Sequence, residues 1–279
     1  MEIQKTVVSK RSLSLNVALM SICACLYAIG SFLTANIPSP WGAGQFRPAV
    51  IIPSLFAVIA GPFPAGVGAA LGTLIADSAK YGRIYEGSLL AAVPGNFIGF
   101  YIFGYITRRK FTWGRFVLAS NITLTLANLI VAALYVTIFK LLYLADPKYI
   151  AFSSEALVVY IVGLTIWWFV TMLPFVLLVT PVLIRAVSLA FPSLVPKDVR
   201  TNSLKDELPK RTFSLALLIP GLIMVLIGLI ITLTPMSGQM IAFFKEPTTI
   251  LVEGMFYVSG IVLIALGVLV GMRKILKLI

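Results

Sequence analysis

Long apolar runs alternate with short polar breaks along the chain. Runs at 14–36, 88–107, 116–144, 156–184, 213–235 and 249–272 are each long enough for the roughly 20 apolar residues that carry a helix across a bilayer. One stretch breaks this rhythm. Residues 47–77, RPAVIIPSLFAVIAGPFPAGVGAALGTLIAD, hold two shorter apolar segments separated by Gly61-Pro62-Phe63-Pro64. Proline and glycine together punctuate a helix, so the stretch is either one kinked span or a hairpin of 49–61 and 64–77.

Flanking charge decides between them. With a hairpin and a cytoplasmic N-terminus, 16 of the 22 Lys and Arg fall inside: Lys5 to Arg11, the Arg108–Arg115 cluster, Arg185 to Arg211, and Arg273 to Lys277. The 6 left outside are Arg47, Lys80, Arg83, Lys140, Lys148 and Lys245. Short loops on the cytoplasmic side gather positive charge, and a single kinked span would put the Arg108–Arg115 cluster outside. The pattern therefore predicts eight spans with both termini cytoplasmic. Both hairpin arms are short for a bilayer, which is tolerated where they are buried among other helices. Gly66, Gly68 and Gly72, with Ala65, Ala69 and Ala76, supply the small-residue spacing for such close packing.

The fold class expected is an all-α polytopic membrane protein. Its domains are a six-span block over 12–187, a polar cytoplasmic linker over 188–212 with Pro192, Pro196 and Pro209, and a C-terminal transmembrane hairpin over 213–279. Composition agrees: 59% of residues are apolar and 11% charged, with mean hydropathy +1.02, against about 25% charged in soluble domains. The net charge of +12 reads as cytoplasmic loop charge, with no nucleic-acid partner. Cys23 and Cys25 are two apart in an apolar helix, so they point to different faces and do not bridge each other. The first run is long enough to span and lacks a cleavage site, so no signal peptide is expected.

Much chemistry is excluded. The chain has no histidine and no GxxxxGK[ST] phosphate loop, and no paired aspartates or serine with a base lie deep in a helix. No catalytic residue, metal site or cofactor is expected. The chain reads as a membrane-embedded binder that draws energy from elsewhere, and not as an enzyme.

Polar residues at membrane depth are the candidate contacts. Asn121, Thr125, Asn128 and Tyr135 recur on one helical face, and Asn96 follows Pro94-Gly95. Tyr160, Trp167 and Thr171 share a face of the next span, with Trp168 beside them. This set forms a ligand pocket or, equally, interhelical hydrogen bonds. Loop 38–48, PSPWGAGQFRP, adds Trp41, Gln45 and Arg47. Arg47 has few nearby acids in sequence and is expected to hold an anionic group. Loop 77–87 reads as a solvated, self-neutralising segment.

A first span with small residues, an outer loop ending FRPA, the GPFPAGVGAALGTLIAD hairpin and a span opening VPGNFIGFYIFGY follow one another. Together they resemble the substrate-binding S component of an energy-coupling-factor transporter. The resemblance covers about 12–187 and is strongest over 46–107. It implies a six-helix plasma-membrane protein that captures a vitamin or similar micronutrient and works with a transmembrane T component and two cytosolic ATPase subunits. It also implies an Ala-x-x-x-Ala contact to the T component, here Ala24 and Ala28, and a lid role for 38–48. The absence of histidine argues against the nickel or cobalt branch, and the C-terminal hairpin departs from the family's six spans. The competing readings are a stand-alone secondary carrier, which should show a repeat or deep charged coupling sites, and a membrane assembly factor.

Overall fold

A glycine at Gly61 with φ of 100° ends one helix and starts the next, and the remaining architecture follows from that turn. The structure, a computed structural model, describes residues 12–37, 39, 43–108, 110–205, 210–235, 238, 241 and 246–272. Its helices are α1 (Leu13–Leu33), α2 (Ile51–Ile59, entered by a 3-10 turn Pro48–Val50), α3 (Pro62–Tyr81) and α4 (Val93–Arg108, preceded by a π-helical turn Ser88–Ala92). Then come α5 (Trp113–Leu134, continuing as a π-helix Tyr135–Tyr143), α6 (Pro147–Ile150), α7 (Ser154–Ala190), α8 (Lys197–Lys205), α9 (Lys210–Leu233) and α10 (Glu246–Gly271). No β-strand occurs among the described residues. Six of these segments are long and apolar enough to cross a membrane, and the chain is an all-α polytopic membrane protein.

Close backbone approaches at glycine set the helix order. A Cβ at Gly68 would lie 2.5 Å from Cys23 Sγ, and one at Gly72 would lie 2.7 Å from the Ala24 carbonyl oxygen. Residue numbers rise together at these contacts, so α3 runs parallel to α1. A Cβ at Gly66 would meet the Phe97 carbonyl at 2.9 Å, and Gly104 abuts Pro62, so α4 runs antiparallel to α3. Gly95 against Val131 and Gly99 against Ala127 place α5 antiparallel to α4. Each glycine or alanine lets two helices approach where a larger side chain would hold them apart.

The hairpin reading of 47–77 holds, with one correction to its length. α2 has only 9 residues, about 14 Å at 1.5 Å per residue, and its residues from Pro53 to Ile59 are all buried. The surrounding helices shelter it from lipid. α3, by contrast, has 20 residues and continues past Asp77 to Tyr81, because Ser78 to Lys80 carry no helix breaker and the stop comes from Gly82, whose φ of 67° closes the helix in the left-handed region. The turn at Gly61 is held from outside by Arg108, whose guanidinium donates to the Ala60 carbonyl.

The expected linker over 188–212 is also more ordered than its composition implies. α7 extends to Ala190, and α8 docks on the turn between α4 and α5. The Phe111 amide donates to the Asp198 carboxylate at 2.9 Å, and Asn202 donates to the Phe111 carbonyl at 2.8 Å. Val195 and Val199, both buried, give this polar segment the apolar side that fixes it.

Ala24 and Ala28, expected at a partner contact, lie inside this chain's own packing. Both are buried on the side of α1 that meets α3, and this chain's own Gly72 takes the close approach. The opposite side of α1, with Ala18, Ser21 and Cys25, is exposed. The last two spans form an antiparallel pair that mirrors this packing: Gly221 and Gly260 approach to within 2.9 Å of Cβ–oxygen distance, and Ser214 donates to the Gly267 carbonyl at 2.8 Å. Phe213 joins the pair to α5 by stacking on Phe116.

Candidate functional site

The first elements to build the site are two helix distortions. The π-helical turns at 88–92 and 135–143 lie on adjacent segments, and such turns are rare and concentrate at functional sites. Between them and α1, α3, α4 and α7 is a partly open cavity of about 140 Å³. Its lining ends at Asn96, Asn128 and Met172, so it occupies the half of the bundle away from Arg108.

Residues 43–47 cover it. The loop folds back on itself, with Ser39 donating from its amide to the Gly44 carbonyl at 3.2 Å and Phe46 donating to the Ile37 carbonyl at 2.8 Å. Gly44 adopts φ of 76°, and a Cβ there would lie 2.5 Å from the Trp168 ring, so glycine is required twice over. Trp168 Nε1 then donates to the Gln45 carbonyl at 3.1 Å, which pins the loop to α7. Trp41, expected to act in this lid, lies outside the described residues.

A chain of hydrogen bonds crosses the cavity wall. Arg47 Nη2 pairs with Asp77 Oδ1 at 2.6 Å, and both side chains are only 11% exposed. Arg47 also donates to the Thr73 hydroxyl, which accepts a second bond from Asn96 Nδ2 at 3.1 Å. Asp77 accepts from Gln45 Nε2 at 2.9 Å and from the Ser88 hydroxyl at 2.8 Å. Arg47, with few nearby acids in sequence, has one beside it in the fold. Asp77, 30 residues on in sequence, takes it, because α3 continues past Asp77 and points that carboxylate inward.

Aromatic rings form the other walls. Tyr81 stacks on Tyr85 with centroids 4.1 Å apart, and Tyr85 meets Phe139 edge-on at 5.6 Å. Burial, then the neighbouring Tyr135 and Tyr81, push the Tyr85 phenol well above its ordinary pKa, so it remains a hydrogen-bond donor at any physiological pH. Loop 77–87 thus contributes to a wall, and the solvated, self-neutralising reading of its charges does not hold for Asp77, which is buried.

Of the residues expected at a pocket, Gln45, Arg47, Asn96, Asn128 and Tyr135 come together around this cavity. Tyr160 and Trp167 do not line it. Tyr160 is fully buried, its hydroxyl 3.1 Å from that of Tyr149. Trp167 is turned about 100° from the cavity, one residue of helix, and its neighbour Trp168 takes the place expected of it. Asn121 donates to the Val117 carbonyl of its own helix at 2.9 Å, and Thr125 is exposed. Of the stripe on α5, only Asn128 and Tyr135 reach the cavity. Asp77, Lys80, Tyr81, Tyr85, Ser88, Trp168 and Met172 were not among the expected contacts. Among the described residues no three Cys, Asp or Glu side chains cluster to hold a metal.

Asn128 separates the pocket reading from the packing reading. It is 5% exposed, and its amide donates to the Met172 sulfur at 3.8 Å, a weak acceptor. Interhelical glue would be worth about 1 kcal/mol per hydrogen bond. Asn128→Ala is expected to shift stability by less than that, as measured by thermal melting in detergent. A loss above about 2 kcal/mol would make Asn128 a packing residue.

No family model, curated protein or solved structure matches this chain.

Proposed function

We propose that this chain is a substrate-capture subunit of the energy-coupling-factor type: it binds a vitamin-sized micronutrient at the outer face of the plasma membrane and relies on a separate T component and ATPase subunits for energy. The observation that carries this reading is the blind cavity, open at one end of the bundle, roofed by a pinned loop and bounded deep in the bundle by two asparagines. Arg108, Lys110, Arg115, Lys197 and Arg200 belong to the opposite end of the fold, which supports a cytoplasmic placement of that end, with the cavity mouth outside. The sequence holds no phosphate-binding loop, which fits a subunit energised by others. Because Ala24 and Ala28 are buried within the chain, docking of a T component on α1 falls to the exposed face with Ala18, Ser21 and Cys25.

One observation favours a second reading. The buried Arg47–Asp77 pair is the kind of intramembrane charge that transporters couple to ions, and it makes a secondary carrier the rival. The full chain, tagged and purified from its native membranes in mild detergent, is expected to bring with it one further polytopic protein and ATP-hydrolysing subunits. Recovery of the chain alone, with gradient-driven transport by the chain in vesicles, would transfer the assignment to the carrier.

A further inference from the structure

The charge of the cavity narrows what it holds. Three ionisable side chains with full charges line it: Arg47, Asp77 and Lys80. The first two neutralise each other: Asp77 accepts from Arg47, Gln45 and Ser88, and Arg47 donates to Asp77 and Thr73. The pair therefore brings no net charge to the cavity. Lys80 is different. Its ammonium donates to the Ala35 carbonyl at 2.6 Å and to Gln45 Oε1 at 3.2 Å. An ammonium has three protons to give, so one remains.

No carboxylate among the described residues pairs with Lys80. Two acids at this end are engaged with other cations: Glu86 with Arg83 at 2.7 Å, and Asp146 with Lys140 at 3.2 Å. The mouth of the cavity thus has one cation in excess, and its walls are the rings of Tyr81, Tyr85, Tyr135 and Trp168. Deeper in, Asn96 and Asn128 present neutral amides.

We infer that the ligand is a planar aromatic or heterocyclic monoanion whose carboxylate-type group sits at Lys80, at the mouth, with its ring system between the tyrosines and Trp168. This rests on the capture reading above and adds the chemical class of what is captured. The charge balance supplies the sign: Lys80 stands exposed at the mouth with no carboxylate partner among the described residues, so an anionic group is attracted there and a cation is repelled. The ring walls supply the shape, since stacked aromatic faces favour flat partners.

The test uses one ring carrying three charges. Indole-3-acetate, indole-3-acetamide and tryptamine are titrated against the purified full chain, with quinoline-3-carboxylate and its carboxamide as a second pair. The carboxylates are expected to bind at least about 10-fold tighter than the matching amides, the scale of one charge-assisted hydrogen bond, with tryptamine weakest. Lys80→Gln should bring carboxylate and amide to within about 2-fold of each other, and Lys80→Arg should keep the preference. Lys148→Ala, a cation outside the cavity, should leave it unchanged. The inference is overturned by an amide or tryptamine that binds as tightly as its carboxylate, by a preference that survives Lys80→Gln, or by carboxylates that do not bind at all. None of those outcomes affects recovery of partner subunits from native membranes, so the charge of the ligand and the capture function are judged separately.

Discussion

Asp77→Ala is expected to destabilise the bundle by about 3–5 kcal/mol, the loss seen when one partner of a buried ion pair is removed. The substitution strands Arg47 in a site where its side chain is 11% exposed and also deprives Gln45 and Ser88 of their acceptor. Asp77→Asn keeps the shape and one acceptor while removing the charge, and should fall between alanine and the parent. Replacing both partners, Arg47→Met with Asp77→Leu, should cost less than Asp77→Ala alone, since an apolar pair of similar volume pays no desolvation. Melting of the four proteins in one detergent reads all of this. A loss below about 1 kcal/mol for Asp77→Ala would show that water reaches the pair freely, as at an exposed salt bridge.

Ala24→Leu is expected to destabilise the isolated chain by about 1–3 kcal/mol, the usual cost of overpacking a filled interface. Gly72→Leu should cost more, because its new Cβ would press on the Ala24 carbonyl oxygen at 2.7 Å and on the Tyr27 ring at 2.9 Å. Backbone oxygen on one helix cannot yield without the whole helix moving. If instead Ala24 served a partner protein, leucine there would leave the melting of the chain alone unchanged and weaken only assembly. Melting measured without any partner therefore decides which role it has.

These two positions also mark where reading the sequence succeeds and where it stops. The break at Gly61-Pro62 was legible because glycine and proline act on their own backbone, whatever surrounds them. The long apolar spans were legible for the same local reason. Ala24 was not, because in a bilayer the packed face and the lipid face of a helix are equally apolar, so periodicity does not separate inside from outside. Arg47 and Asp77 were each visible as charges near a helix end, yet their pairing depends on α2 and α3 folding back together over 30 residues. Trp167 and Trp168 differ by a single residue, and only the rotation of α7 in the bundle chooses between them. Asn128 and Tyr135 were found because their spacing of seven keeps one face through two turns, whereas Asn121 bonds its own helix and Thr125 is turned outward.

The two π turns carry a consequence of another kind. A π turn closes hydrogen bonds over five residues in place of four, which amounts to an inserted residue in each of two neighbouring walls. The shape of the cavity is thus stored in the count of residues along the backbone as well as in the identity of its side chains. Point changes alter what the walls offer to a guest. Loss of one residue between Tyr135 and Tyr143 would instead let the segment close as an ordinary helix, removing the widened turn that sets Phe139 against Tyr85. Within a lineage of such chains, substitutions in these walls would change the guest, while length changes there would erase the chamber.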